Sequence, residues 1–295
     1  MSKVKVEESA MLAELHISQW NPKKEDRRVY PCIQKEFNIG KAIKTSEEMG
    51  VFKKQKITKQ ALQQISDAVS AARKYHYTVT LPWKDGGTRM LPAVTLFKYT
   101  KEIRFRKQMF EDAVRSFVTS YPTHLTEAQK VLGGLFDPKE YPNDKELKRY
   151  YRFAFSLNPI PKGEDFRLKQ VDDKELKEMA AIYEAEKDTA VANAMADVWH
   201  RVYEKVNRMA EVLKDDKALL RGAIVENVME MAQLLPELNV IQDPKLIEIH
   251  SDICASLCSH SRDTLKANPI VRQNQGSDAE KIANKMSIYM GGNIQ

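Results

Sequence analysis

The stretch DDKELKEMAAIYEAEKDTAVANAMADVWHRVYEKVNRMAEVL, residues 172–213, decides the fold class. Its apolar residues return every three or four positions, as Leu176, Met179, Tyr183, Val191, Met195, Val198, Val202, Val206, Met209 and Leu213. That period is the stripe of one long α-helix, and Asp172 or Asp173 is placed to cap it. Its acidic residues stand three or four positions from lysines, which makes a solvated face and no acid/base pair. His200, beside Trp199, reads as a packed or solvated residue and not a catalytic one.

Toward the C-terminus, residues 216–235 carry Leu219, Ala223, Ile224, Val228, Met231 and Leu235, a further helix that Pro236 should end. Asp243-Pro244 opens another, running through Leu257, with the aspartate as N-cap and proline in the first turn. The segment KANPIVRQNQGS, 266–277, reads as a linker. Ser277 with Glu280 forms a capping box for a last helix ending at Gly291-Gly292.

Toward the N-terminus, Thr58 caps a helix bearing Ala61, Leu62, Ile65, Ala68, Val69 and Ala72, expected to stop near Tyr75. The β-branched run YTVTL, 77–81, predicts a strand, and Asp85-Gly86-Gly87 a turn. Pro82 and Pro92 should confine this hairpin to an edge, with Trp83 as a buried plug and Lys84 and Arg89 exposed. Pro92 also opens a helix to about Ser120. There Leu96, Ile103, Phe110 and Phe117 repeat every seven residues, a seam suited to another long helix, and Pro122 should interrupt it. A short helix follows from Thr123 to Leu132.

YRFAFSL, 151–157, alternates as a half-buried strand, and FRLKQV, 166–171, is a candidate partner for it. A short strand is expected around Leu15–Ile17, while the rest of 1–56 has no steady period. The expected class is therefore α+β, predominantly α-helical, with long antiparallel helices and a small antiparallel β element: a hairpin near 76–92 and strands near 151–171. The organisation read from composition is a basic α+β region over 1–171, a helical region over 172–266, and a linker with a C-terminal helix over 267–295.

The chain has 295 residues, 42% hydrophobic and 30% charged, enough to bury a core without staples. No run approaches a membrane span and the first residues lack the apolar segment of a signal peptide, so a cytoplasmic protein is expected. Three cysteines, Cys32, Cys254 and Cys258, are too few for a disulfide framework and read as free thiols. The net charge of +6 is uneven: residues 1–120 hold 23 Lys+Arg against 13 Asp+Glu. Such a bias favours a polyanion or an acidic protein surface as partner.

Phosphate-loop, dinucleotide, zinc-protease and nucleophile-elbow motifs are absent, so no catalytic residue, cofactor or metal site is assigned and a non-enzymatic role is expected. In HSDICASLCSH, residues 250–260, His250, Cys254 and Cys258 recur on one helical face and His260 follows. Soft ligands at that spacing can hold a thiophilic metal, but cysteines on a helix stripe are more often plain core. The expected contact residues for nucleic acid are Lys53, Lys54, Lys56, Lys84, Arg89, Lys98, Lys101, Arg104, Arg106 and Lys107. They are interleaved with Tyr75, Tyr77, Trp83, Phe97, Tyr99 and Phe105, and cations that follow phosphates beside rings that stack on bases suit a single strand. The same pattern also describes an ordinary amphipathic helix with its wet face.

The segment Leu81, Pro82, Trp83, Asp85, Gly87, Arg89, Leu91 and Pro92 matches L-P-W-x-D-x-G-x-R-x-L-P. With Ser18–Trp20, Gly134–Pro142, Asn158–Arg167 and Glu226–Asn239, it resembles a family of uncharacterised tailed-bacteriophage proteins over about residues 12–245. The resemblance implies a phage-encoded protein in an infected bacterium and transfers no catalytic residue. In that setting two functions compete. One is an accessory protein that binds or anneals single-stranded DNA, acting as a homo-oligomer. The other is a protein-interaction factor that assembles through its helices and binds or inhibits a host protein.

Overall fold

In a computed structural model the chain is described over residues 5–38, 50–84, 86–163, 172–215 and 217–291. In chain order it forms α1 (Val6–Ser9), β1 (Ala10–Ser18), β2 (Lys23–Glu25), α2 (Tyr30–Glu36), β3 (Lys53–Gln55), α3 (Gln63–Val79), β4 (Leu81–Pro82) and β5 (Arg89–Pro92). These are followed by α4 (Leu96–Leu132), α5 (Asp144–Arg149), β6 (Arg152–Pro159), α6 (Asp173–Lys214), α7 (Gly222–Leu238), α8 (Pro244–Ser256), α9 (Arg262–Ala267) and α10 (Pro269–Tyr289). The class is α+β and predominantly helical, with one antiparallel sheet in the order β4-β5-β1-β6 and a two-stranded sheet β2-β3. The proposed strand 166–171 lies outside the described residues.

The chain divides into two compact units. The first comprises Met1–Leu15, Tyr75–Lys101 and Phe155–Gln295; the second comprises His16–Lys74 and Glu102–Ala154.

The first unit is organised by α6. From Ala190 onward its stripe is buried through Ala194, Val198, Val202, Val206, Met209 and Leu213, whereas Met179 nearer its start is 40% exposed. The stripe packs on α7 and α10, which in turn pack on α8, with Val228, Leu235, Ile249, Ala279, Ile282 and Met286 in the same core. The expected linker 266–277 is instead the start of α10. Asn268 caps it by accepting from the Ile270 and Val271 amides, and Pro269 fills its first turn. The helix then runs on through Gly276, where a Cβ would stand 3.1 Å from Leu213 Cβ. Glycine is needed there for closeness of approach and not for an unusual backbone angle. Arg272 donates to the carbonyls of Val212, Leu213, Asp215 and Ala218, satisfying the end of α6. Pro236 lies inside α7 and not beyond it.

Two expectations about the hairpin region fail, each for its own reason. The run 77–81 continues α3 to Val79, because helix-end carbonyls find better partners there than a strand would give. Arg201 Nη1 takes the Tyr77 and Thr78 carbonyls at 3.2 Å, and Arg89 Nη2 takes that of Thr80 at 2.9 Å. The turn does join two strands, β4 and β5, in register Leu81↔Met90 and Pro82↔Arg89. However, β5 is an inner strand that also pairs with β1 from Ala10↔Pro92 to Ala13↔Arg89, so only β4 is at the edge. Trp83 is buried in the core of this unit, as a plug should be.

In the second unit, Ile103, Phe110 and Phe117 of α4 are buried, but they do not form a helix–helix seam. Phe110 meets the rings of Tyr151 and Phe153 at 6.4 and 5.7 Å, and Phe117 meets Tyr121 at 5.7 Å. Aromatic seam positions pair with the rings at the start of β6. Pro122 does not interrupt α4. Phe117, Val118, Tyr121 and Ala128 bury the turns on both sides of it, and that burial outweighs the missing hydrogen bond.

Candidate nucleic-acid interface

The ten expected contact residues are divided between the two units. Lys84, Arg89, Lys98 and Lys101 belong to the first unit, and Lys53, Lys54, Lys56, Arg104, Arg106 and Lys107 to the second.

In the first unit, Arg89 is not the exposed contact the sequence implied. Its Nε donates to Thr80 Oγ1 at 2.7 Å, and its guanidinium lies 4.8 Å from the Tyr77 ring centroid. It serves the end of α3. Lys84 and Lys98 remain at the surface beside Glu186 at 2.8 Å and Glu237 at 3.4 Å. Exposed pairs of this kind contribute about 0–1 kcal/mol, so an incoming phosphate could replace either carboxylate. Lys101 is exposed and meets no carboxylate among the described residues.

In the second unit, β2 and β3 pair with Lys24 opposite Lys54, an unfavourable juxtaposition that two carboxylates resolve. Lys54 Nζ, 1% exposed at its side chain, lies 2.7 Å from Asp26 Oδ2 and 2.8 Å from Glu140 Oε2, and donates to the Leu135 carbonyl. Burial alone would lower its pKa, but the hydrogen bonds to Asp26 and Glu140 raise it instead. The hydrogen bond from Arg28, assisted by Lys54 and opposed by burial, holds the Asp26 carboxyl far below the usual carboxylate range. Lys56 is also buried, with its ammonium 4.8 Å from the Trp20 ring centroid and donating to the Glu140 carbonyl. Burial pulls its pKa down, against the pull of Glu140. Lys54 of β3 and Lys56 just after it are thus internal cross-links to residues 135–141 and offer nothing to a phosphate.

The remaining expected cations are on α4 and at the rim. Arg106 pairs with Glu102 at 2.7 Å and Lys107 with Glu111 at 3.8 Å, both one helical turn away. Lys53 and Arg104 are exposed and without a carboxylate partner among the described residues, and Phe105 beside Arg104 is 58% exposed.

A run that the sequence reading passed over has the stronger geometry. Asn143 caps α5 through a capping box with Glu146, Leu147 anchors it in the core, and its last turn ends in Lys148 and Arg149. Cations there are favoured by the helix dipole. Tyr151 and Phe153 turn inward onto Phe110, so the period of β6 sends Arg152 outward. Lys148, Arg149, Tyr150 and Arg152 are consequently all exposed, and none of the three cations meets a carboxylate among the described residues. Tyr150 keeps 48% of its surface open. The signal was legible as KRYYR, basic and aromatic residues alternating at a helix-to-strand junction. The second unit as a whole holds 23 Lys+Arg against 14 Asp+Glu, whereas the first holds 24 against 27.

His250 and Cys254 do meet, Nε2 to Sγ at 3.4 Å, but no group of three or more metal-ligating side chains converges among the described residues. No helix among them is long and apolar enough to cross a membrane.

No family model, curated protein or solved structure matches this chain.

Proposed function

We propose that the protein is a non-enzymatic nucleic-acid-binding accessory factor that holds single-stranded DNA through its second unit. The observation that carries this reading is the run Lys148, Arg149, Tyr150 and Arg152: three exposed cations with no carboxylate partner among the described residues, around an open aromatic ring, on the unit with the positive excess. Cations would follow the phosphates while Tyr150 stacks on a base, a combination indifferent to sequence. Arg104 with Phe105, and Lys53, supply further contacts of the same kind. The resemblance to tailed-phage proteins supports an infected bacterial cytoplasm as the setting.

Titrating a fluorescent single-stranded oligonucleotide at several salt concentrations tests this. Affinity should fall with salt by about 0.7 log unit per log unit for each phosphate neutralised. Absence of binding at low salt, or binding without salt dependence, overturns it. The second reading, a protein-interaction factor, is favoured by one observation: Val94 just before α4 and Phe97 in its first turn are 79% and 90% exposed. Apolar side chains so open suit a partner surface. Replacing both with serine should leave oligonucleotide binding unchanged if that face serves a protein.

A further inference from the structure

Cys254 in the last turn of α8 and Cys258 just beyond its C-cap have no part in the proposed function. Cys254 is exposed and Cys258 half-buried, and they stand four residues apart, with the Leu257 C-cap between them still in the αR conformation. Cys254 Sγ is 3.4 Å from His250 Nε2, one turn earlier. Residues four apart on a helix have Cα atoms about 6 Å apart, inside the roughly 4.4–6.8 Å that a disulfide spans. A regular helix would still hold the Cβ atoms too far apart. Here, however, α8 ends at Ser256 and Leu257 is its C-cap, so Cys258 sits outside the helix, where its backbone is free of the ladder.

We propose that Cys254 and Cys258 form a reversible dithiol–disulfide pair, with Cys254 as the attacking thiol and Cys258 as the resolving one. His250 Nε2 takes the Cys254 proton, and the thiolate attacks a low-molecular-weight disulfide such as oxidised glutathione, expelling one glutathione thiolate. Cys258 then loses its proton to that thiolate and attacks Cys254 Sγ, expelling the second. The dithiol is oxidised by two electrons to the intrachain disulfide, and one oxidised glutathione is reduced to two thiols. The assignment of roles follows exposure: the attacking sulfur must be accessible, while burial and the adjacent Cys254 push the Cys258 thiol up and keep it protonated until the first step is complete. A bond closing so small a loop at a helix end is strained, which makes it readily reduced. The state of the pair would be felt in the core, because the Leu257 carbonyl between the two cysteines accepts from buried Gln275 of α10 at 2.6 Å.

The test treats the full-length protein with oxidised glutathione and maps tryptic peptides by mass. Both cysteines fall in Leu246–Arg262, and exposed Cys32 reports that the reagent acts. The expected product is this peptide lighter by two hydrogens, without attached glutathione, restored by reductant. Cys258→Ser should trap glutathione on Cys254; Cys254→Ser should leave Cys258 unreacted over the same period. His250→Ala should slow loss of the Cys254 thiol roughly tenfold or more. Glutathione retained on Cys254 of the unaltered protein, two free thiols, or a disulfide between chains overturns the proposal. An unchanged rate in His250→Ala overturns the part given to His250.

Discussion

Lys54 Nζ is 2.7 Å from Asp26 Oδ2 across the β2-β3 ribbon, and both side chains are almost wholly buried. A lysine that reads in the sequence as part of a basic surface is held inside the second unit. Asp26→Asn should therefore cost about 3 kcal/mol, the lower end for breaking a buried ion pair, because Glu140 still faces the ammonium. Lys54→Met should cost less, since Arg28 stays on Asp26 and Lys24 on Glu140. Urea unfolding of the two variants checks the order. The folded Asp26 carboxyl has a depressed pKa, so its contribution is present above the unfolded value near 4 and is lost as the solution is made more acid.

His76 gives a second pH dependence in a milder window. It is buried with Nδ1 2.9 Å from Tyr99 Oη, and burial, with the charge of Arg89, lowers its pKa to about 4. The unfolded histidine titrates near 6.5, so the unfolded chain takes up a proton first as pH falls. Stability should drop by up to about 1.4 kcal/mol per pH unit between about pH 6.5 and 4. His76→Gln should be less stable at pH 7 yet lose this slope; an equal slope in the variant would place the proton uptake elsewhere.

Gly276→Ala sets two effects against each other. Alanine in a helix interior gains about 0.5–1 kcal/mol over glycine. The new methyl would meet Leu213 Cβ and Lys214 Cγ at 3.1 Å and the Leu213 backbone at 3.3 Å, and overpacking of that kind costs about 1–3 kcal/mol. The backbone contact cannot move aside as a side-chain tip would, so a net loss of about 1 kcal/mol is expected. A raised melting temperature would show that α6 and α10 separate more readily than their packing implies.

Trp83→Ala should destabilise the first unit by about 3–5 kcal/mol, as expected for deleting a buried large aromatic. Oligonucleotide binding by the second unit should persist wherever the variant remains folded. Loss of binding without loss of stability would make Trp83 a ligand contact instead.

Lys148, Arg149 and Arg152 changed together to alanine should reduce the salt slope of single-strand binding by about 2, near 0.7 for each phosphate contact removed. Tyr150→Ala should weaken binding by about 1–3 kcal/mol at any salt concentration, with the slope intact. Lys54→Met should change neither, since its ammonium does not reach solvent.

The sequence by itself determined the helical elements and much of the core. The three- and four-residue recurrence from Val191 to Leu213 is local information, as is the Asp243-Pro244 start, and both reappear as α6 and α8. Asn268-Pro269 carries the same start signal as Asp243-Pro244, yet the polar run after it and Gly276 read as a linker until α6 was there to pack against. Only the tertiary structure decided that α3 runs on to Val79, since Arg201 reaches its last carbonyls from more than 120 residues away. Likewise only folding decided which cations face water. Charge is legible in a sequence, but the carboxylate that neutralises it is not: Glu140 meets Lys54 from across 86 positions, while none among the described residues reaches Lys148, Arg149 or Arg152. Helix formation follows from neighbours a turn apart, whereas the fate of a charge depends on whatever the chain brings within a few ångströms of it.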